Sequence, residues 1–274
     1  MKITLLGTGS PLPDPNRAGP STLVQAEGTT LLFDCGRGVL MRLAAAMVPV
    51  ASLNALLLTH LHSDHITDLN DVITSHWIMS PGPNRLTIYG PPTTKAVVDA
   101  TIAALEHDIK YRQDHHNDLT YRPDVVVVEV VPGQMFECGG ATITVGRTDH
   151  RPVEPTVGYR VDQGNRSVVI AGDTIPCAEL DSLCKGASAY VQTAIRADIV
   201  KQIPNARIQD ILDYHSSVQQ AADTAARAGV GALVLTHYVP PVPTLMLEQW
   251  KELVAPIYGG PVILGDDMTT YEIP

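Results

Sequence analysis

Apolar residues along the chain alternate between short runs and stretches with helical spacing. Short apolar or alternating runs predict strands. They lie at residues 3–6, 22–25, 31–34, 55–59, 86–89, 125–131, 142–145, 159–162, 167–171, 189–192, 232–236 and 262–264. Helical spacing predicts helices at residues 38–47, 69–79, 94–107, 177–183, 218–228 and 245–254. Ser216 or Ser217 is a suitable N-cap for the fifth helix, and Gly229 a suitable stop.

The order of these elements predicts the architecture. Some neighbouring strands are joined by a tight turn, as at residues 162–165, whereas others are separated by a helix. This mixture favours an α/β fold in which two mixed sheets are covered by helices on the outside. No period of 20 to 50 residues repeats, which argues against solenoids and propellers. No stretch resembles a linker, so residues 1–274 are expected to form a single domain.

Composition narrows the class of protein. The chain has 274 residues, of which 45% are hydrophobic and 18% are charged, and this excludes a disordered or collagen-like chain. Nineteen Lys and Arg residues stand against 29 Asp and Glu residues, for a net charge of −10. A broadly basic surface for non-specific nucleic-acid binding is therefore not expected, although a local basic patch remains open.

The termini and the cysteines predict the compartment. The chain enters a strand at once, with no charged leader followed by an apolar segment, and its apolar runs are shorter than the ~20 residues that cross a bilayer. The four cysteines, Cys35, Cys138, Cys177 and Cys184, show no CxxC spacing. We expect free thiols in a cytoplasmic protein that does not contact the membrane.

The strongest chemical signal is the histidine segment, residues 59–65, with the sequence THLHSDH. If the preceding strand continues through His60 and His62, the two rings point the same way. A turn would then bring Asp64 and His65 to a second centre about 3.5 Å from the first. A capped turn with solvated histidines is the alternative, which mutual repulsion of protonated rings disfavours.

A site for two metals needs further ligands, and three residues at predicted strand ends are candidates. These are His150, Asp173 and His237, each placed where a strand gives way to a loop. Taken singly, each residue also fits an ordinary turn or loop position. Together with the histidine segment they indicate a metal centre. Carboxylate and imidazole donors without a thiolate suit zinc in an open hydrolytic site, and iron or manganese as substitutes.

The order of these motifs resembles that of the metallo-β-lactamase superfamily. The sequence FDCG at residues 33–36 precedes the histidine segment, and His150, the sequence GDT at residues 172–174 and His237 follow it. The resemblance covers essentially the whole chain. It implies an αββα sandwich with two zinc ions, for which Mn²⁺ or Fe²⁺ could substitute, in a cleft at the sheet edges.

The resemblance also implies a division of the ligands. His60, His62 and His150 would hold one ion, Asp64, His65 and His237 the other, and Asp173 would bridge them. Asp34 would support the ligands from behind, with a simple turn role as its alternative.

Within the superfamily, the ribonuclease Z family is the most similar. The likeness rests on LGTGS at residues 6–10, TDH at 148–150, GYR at 158–160 and HSS at 215–217. That family trims the 3′ ends of precursor tRNA and is typically homodimeric. The resemblance implies that His215 donates a proton or positions phosphate, and that Asp64 serves as general base as well as ligand. A solvent-facing residue at a helix start is the alternative for His215.

Several positions depart from the family pattern. Residues 160–172 suffice only for a hairpin where many members carry a tRNA-gripping arm, and Gln192-Thr193 replaces a His-Glu pair. The arginine usual downstream of the last ligand is missing after His237. The loop at residues 9–20 also resembles the arylsulfatase-like branch of the superfamily.

Three functions therefore stay open. The first is a binuclear zinc phosphodiesterase that cleaves precursor tRNA 3′ ends through a metal-bridging hydroxide. The second is an arylsulfatase-like or other small-molecule ester or phosphodiester hydrolase, and the third is a non-catalytic metal-binding scaffold. Arginines gathered around the cleft would favour RNA, and scattered ones a small ester. The arginines considered are Arg17, Arg37, Arg147, Arg151, Arg160 and Arg196.

Overall fold

The computed structural model describes residues 1–241, 243 and 246–274. Within these ranges the chain forms fourteen strands. They are β1 (Lys2–Gly7), β2 (Ser21–Ala26), β3 (Thr29–Phe33), β4 (Ala55–Leu57), β5 (Arg85–Gly90), β6 (Asp124–Glu129), β7 (Met135–Cys138), β8 (Ala141–Arg147), β9 (Val157–Gln163), β10 (Arg166–Ile170), β11 (Ala189–Ile195), β12 (Leu233–Val239), β13 (Val262–Ile263) and β14 (Thr270–Glu272).

The same part of the chain contains ten α-helices and two short 3-10 turns, at Val50–Ser52 and Asp210–Asp213. The helices are α1 (Val39–Ala45), α2 (Ser63–Ile66), α3 (Leu69–Met79), α4 (Thr94–Ala104), α5 (Glu106–His115), α6 (Ala178–Cys184), α7 (Ala197–Val200), α8 (Ala206–Gln209), α9 (Val218–Ala228) and α10 (Glu248–Val254). None of the described helices is both long and apolar enough to cross a membrane.

The described strands form two mixed sheets of seven strands each. The first has the order β14-β1-β2-β3-β4-β5-β6, and the second the order β13-β12-β11-β10-β9-β8-β7. The central core lies between them, where Phe33 packs against Tyr159 with ring centroids 5.8 Å apart. Helices α1, α3 and α4 cover the outer face of the first sheet, and α6, α9 and α10 that of the second. The predicted αββα sandwich of two mixed sheets flanked by helices is confirmed.

Helix α9 shows how local signals set an element boundary. The Ser217 hydroxyl accepts a hydrogen bond from the Gln220 backbone, and the Gln220 side chain accepts one from the Ser217 backbone. This reciprocal capping box decides between the two candidate serines. Gly229 ends the helix with φ 62°, a conformation that glycine adopts without steric cost. Both predicted boundaries are confirmed.

Tertiary contacts interrupt two of the predicted elements. The strand predicted at 55–59 ends at Leu57, because the Thr59 backbone donates to the Asp34 carboxylate instead of a neighbouring strand. His60 and His62 therefore lie on a loop. The helix predicted at 94–107 breaks at Leu105 into α4 and α5, and the chain turns there so that Ile109 packs with Trp77.

Other differences concern short elements. The sequence patterns missed the edge strands β7 and β14 and the short helices α2, α7 and α8. Such elements span too few residues for a periodic pattern. The helix predicted at 245–254 begins at Glu248, and Leu245 lies outside the described residues.

Candidate metal centre

The histidine segment is attached to both sheets. On the side of the first sheet, the Thr59 backbone and hydroxyl donate to the two Asp34 carboxylate oxygens at 2.8 and 2.9 Å. On the side of the second sheet, the Tyr159 hydroxyl donates to the Leu58 carbonyl at 2.8 Å, and the Val157 backbone donates to the Thr59 carbonyl at 2.9 Å. These contacts place the histidines from the first half of the chain beside the strand ends from the second half.

Three imidazoles converge on one side of the site. The His62 Nδ1 atom lies 3.1 Å from His60 Nε2 and 3.2 Å from His150 Nε2. The Oδ2 atom of Asp173 lies 3.8 Å from His60 Nε2 and 3.9 Å from His150 Nε2. These four donor atoms surround one point that a cation could occupy.

A second group lies on the other side of Asp173. The Asp64 Oδ2 atom lies 3.7 Å from His65 Nε2 and 3.3 Å from His237 Nε2. The same Asp173 Oδ2 atom lies 3.4 Å from His65 Nε2 and 3.6 Å from His237 Nε2. Asp173 is therefore shared between two groups of donors, and the structure brings together all seven residues that the sequence nominated.

The donor groups fit zinc. A tetrahedral site with Zn–N distances of about 2.0–2.1 Å has donor–donor edges of roughly 3.3–3.4 Å, close to the separations within each group. Within the described residues, His65 Nε2 and Asp173 Oδ1 are buried atoms without a hydrogen-bond partner. Buried polar atoms are normally satisfied, so these two indicate a missing ligand such as a cation.

The electrostatics of the site favour a bound cation. Burial lowers the pKa of His60 well below its usual value and that of His150 to about 4, so both rings are neutral. Burial alone would lower the pKa of His65, but the Asp173 and Asp34 carboxylates raise it well above its usual value. Burial alone would raise the pKa of Asp173, but His237 and His65 hold it well below its usual value. The His60 and His150 rings and the Asp173 carboxylate are therefore in the forms that bind metal ions, whereas the His65 ring would release a proton when a cation binds.

Asp34 orients the candidate ligand His65 through a contact with the ring nitrogen that faces away from Asp173. Its Oδ2 atom lies 2.8 Å from His65 Nδ1, which leaves Nε2 of that ring directed at Asp173. Asp34 adopts φ 58° and His237 φ 56°, a left-handed conformation that non-glycine residues rarely take. Backbone outliers of this kind concentrate at functional sites.

We expect Asp34→Asn to lower metal affinity by about 10- to 100-fold, because an amide cannot accept hydrogen bonds at both of its side-chain atoms. Competition with a chromogenic zinc chelator measures this affinity. Asp71→Asn, an exposed change of the same chemistry on α3, is the control and should bind zinc like the unmodified chain. Equal affinity of the two variants would show that Asp34 does not orient the ligand.

Close backbone packing holds Asp64 in place. A Cβ atom added at Gly36 would lie 2.4 Å from the Gly19 carbonyl carbon and 2.6 Å from the Asp64 carbonyl oxygen. Both neighbours are backbone atoms and cannot rotate away, which explains the glycine in the FDCG motif.

Gly36→Ala should therefore destabilise the fold by about 1–3 kcal/mol, the usual cost of overpacking, and displace Asp64. Urea unfolding followed by circular dichroism gives the free energy. Gly82→Ala is the matched control, since an added Cβ there meets no described atom within 4 Å. A Gly36 variant as stable as the Gly82 variant would refute the packing argument.

His215 lies beside the metal centre, at the start of α9. Its Nε2 atom is 3.2 Å from Asp173 Oδ2, and its Nδ1 atom is 3.1 Å from the Ile211 carbonyl oxygen. Thr193 occupies the place where the family resemblance expects the carboxylate of a His-Glu pair, and its hydroxyl donates to the Gly172 carbonyl at 3.0 Å. The Ile211 carbonyl therefore orients the His215 ring in place of that carboxylate.

A cavity of about 400 Å³ opens above the metal centre. Its lining includes Asp64, Asp173 and His237 together with apolar side chains. None of the six arginines considered from the sequence lines this cavity, and five of them form ion pairs with carboxylates of the chain. Arg207 does line it. Sequence reasoning missed this residue, because it lies in the four-residue helix α8 and belongs to no motif.

Comparison with known families places the fold and site in a wider class. The family model described as "Beta-lactamase superfamily domain" matches residues 29–238. A protein named Ribonuclease Z from Mycobacterium avium (strain 104) is 57% identical over 275 residues, covering 100% of this chain and 98% of the relative. Another protein of that name, from Mycobacterium bovis (strain BCG / Pasteur 1173P2), is 54% identical with the same coverage.

Solved structures agree on the fold. The metallo-beta-lactamase fold protein YhfI from Bacillus subtilis aligns with a TM-score of 0.74 at 23% identity, over 98% of both chains. The short form of human tRNase Z aligns with a TM-score of 0.74 at 24% identity, over 100% of both chains. The chain therefore belongs to the beta-lactamase superfamily and, within it, to the ribonuclease Z family. Membership in that family makes it a ribonuclease Z-like hydrolase with residues able to bind metal ions.

Proposed function

We propose that the protein is a binuclear zinc endoribonuclease that removes 3′ extensions from precursor tRNA. The observation that carries this proposal is the pair of donor groups joined by Asp173, with His215 beside them. The names of relatives at 52–57% identity support the RNA substrate. Zinc bound at such a site lowers the pKa of water towards 7 and neutralises charge that develops on phosphate oxygens. Manganese or iron would serve the same purpose.

The proposal assigns holding and proton-transfer roles to named side chains. His60, His62 and His150 would hold one ion, Asp64, His65 and His237 would hold the other, and Asp173 would be shared between them. Asp64 also lines the cavity, where its carboxylate accepts a proton from the attacking water as general base.

His215 is the proposed proton donor. Both of its ring nitrogens face oxygen acceptors, at 3.1 and 3.2 Å. The Ile211 carbonyl accepts a hydrogen bond from Nδ1, which leaves Nε2 directed at Asp173. An imidazole at the cavity wall is suited to give a proton to the leaving oxygen of a phosphodiester.

Cleavage of a 3′-extended precursor tRNA by zinc-reconstituted protein tests the proposal. We expect a single cut just after the acceptor stem, absent after chelation and absent in Asp64→Ala. An aryl phosphodiester and an aryl sulfate serve as parallel substrates. Intact RNA alongside metal-dependent turnover of a small substrate would reject the proposal. Stoichiometric zinc without any turnover would instead assign a non-catalytic metal-binding scaffold.

A small-molecule ester or phosphodiester hydrolase is the second candidate. Two observations favour it: five of the six arginines considered from the sequence are paired with carboxylates away from the cavity lining, and the β9–β10 connection spans only residues 164–165. With so short a connection, the chain has no long arm between β9 and β10 to hold the body of a tRNA. The parallel substrates described above decide between the two candidates.

The proposal includes a homodimer in the cytoplasm, built from one domain per chain at residues 1–274 and without membrane contact. A surface groove of about 430 Å³ between α1 and α3 is lined by Leu40, Ala44 and Met47, and Met47 and Met79 are 87% and 68% exposed. Exposed apolar surface of this kind suits a subunit interface. All four cysteines are free, as in a reducing compartment. Sedimentation velocity tests the dimer.

A further inference from the structure

The cavity above the metal centre has two unlike walls. One is the loop at residues 10–12, and the other is formed by α8 and the segment that leads to His215. The surface of these walls is mostly apolar, with Leu12, Ile208 and Ile211 among its side chains. A volume of about 400 Å³ lies within the range of small-ligand sites.

Arg207 is the cationic side chain of this lining among the described residues, histidines aside. It is exposed and forms no ion pair within the part of the chain that the structure describes. Two other arginines, by contrast, are paired: Arg196 contacts Asp198 at 2.6 Å, and Arg151 contacts Asp149 at 2.6 Å. In a chain with a net charge of −10, an arginine that lines the cavity and forms no ion pair among the described residues is available to an anionic ligand.

Ser10 provides an independent observation on the wall formed by residues 10–12. It is only 1% exposed, and its hydroxyl finds no hydrogen-bond partner among the described residues. The loop that carries it is fixed at both ends, because Asp267 accepts hydrogen bonds from the Thr8 backbone at 2.9 Å and the Ala18 backbone at 2.6 Å. A buried hydroxyl on a fixed loop, without a partner, indicates a ligand that supplies one.

We propose that Ser10 and Arg207 form a substrate subsite that binds the phosphodiester backbone next to the bond that is cleaved. Arg207 contacts the non-bridging oxygens of a neighbouring phosphate, for which the planar guanidinium is suited. Ser10 donates its hydroxyl to a backbone oxygen of the same strand. Both are positioning residues, and the apolar side chains between them contact the ribose and base. This inference rests on the proposed RNA substrate.

Arg207→Ala should raise KM for precursor tRNA about 10-fold and leave kcat within about 2-fold, because the lost contact is the same in the ground and transition states. The plot of log(kcat/KM) against log salt should lose about one unit of slope. Arg207→Lys should recover part of the loss. Arg37→Ala is the matched control, since Arg37 is also exposed but does not line the cavity.

Ser10→Ala separates substrate binding from a structural role. Removing a buried hydroxyl that has no partner should leave Tm unchanged or raise it, since an unsatisfied polar group destabilises the folded state. KM for precursor tRNA should nevertheless rise several-fold. A fall in Tm with unchanged KM would give Ser10 a structural role and overturn its place in the subsite.

A small aryl phosphodiester distinguishes the possible failures. It has a single phosphate, so both variants should turn it over like the unmodified protein. Equal losses on this substrate and on RNA would place the two residues at the reacting phosphate and refute a neighbouring subsite. Cleavage of RNA with unchanged KM in Arg207→Ala would overturn the subsite and leave the proposed function standing. RNA left intact by the unmodified protein would overturn both.

Discussion

Asp173→Ala is expected to lower kcat/KM by about 10⁴-fold, which is the usual size of the rate loss when one member of a group of residues that act together is removed. A single oxygen of Asp173 lies within 3.4 to 3.9 Å of a ring nitrogen from each of four histidines, His60, His65, His150 and His237. Alanine would remove the only carboxylate shared by both donor groups in the described residues. Initial rates on the preferred substrate, at saturating zinc, measure the effect.

The control for this variant is Asp223→Ala, an exposed aspartate on α9. It carries the same change of charge and side chain away from the cavity, and it should retain full activity. Asp173→Ala activity within about 10-fold of this control would contradict a shared ligand role. Circular dichroism spectra that match between the two variants exclude misfolding as the cause of the loss.

Removal of metal is expected to lower Tm by about 10 °C. A ligand present at about 1,000 times its dissociation constant stabilises the fold by about 4 kcal/mol, and each kcal/mol is worth roughly 2–4 °C for a chain of this size class. Without cations, Asp173 and the surrounding imidazoles remain buried and partly unsatisfied. Differential scanning calorimetry with a chelator, and again after zinc is restored, measures the shift.

The same experiment on Asp173→Ala provides its control. This variant should show a much smaller response to the chelator, because it lacks the ligand that joins the donor groups. Two identical shifts would locate the stabilising metal elsewhere. The absence of any shift in the unmodified protein would show that the buried donor atoms are satisfied in some other way.

Three of the candidate ligands could be predicted from the sequence because each interrupts an apolar pattern. His60, Asp173 and His237 follow buried apolar runs, so the polar residue at that point is explained by what it binds. The other ligands could be predicted from their spacing within the histidine segment and, for His150, from its position after a predicted strand. The strand ends that carry them meet at one edge of the sandwich, which brings distant positions together. The layers of the fold were predictable for a related reason: strands such as β11 and β12 are buried along their whole length, and helix α9 between them buries one face.

Other features depend on contacts that no local pattern contains. Asp34 ends β4 early by capturing the Thr59 backbone, a contact between residues 25 positions apart. Strand β14 is three residues long and forms only because β1 offers it a partner. Arg207 and Ser10 become notable only when the fold shows that, among the described residues, Arg207 lines the cavity without an ion pair and the Ser10 hydroxyl has no hydrogen-bond partner.

The attachment of the histidine segment to both sheets has a consequence for how the protein matures. His60, His62, Asp64 and His65 come from the first half of the chain, and His150, Asp173 and His237 from the second. Neither half alone contains either complete donor group. A nascent chain can therefore assemble the complete centre only after its C-terminal strands have been synthesised and the two sheets have docked. Acquisition of metal would mark completed folding, and truncated products would remain inactive.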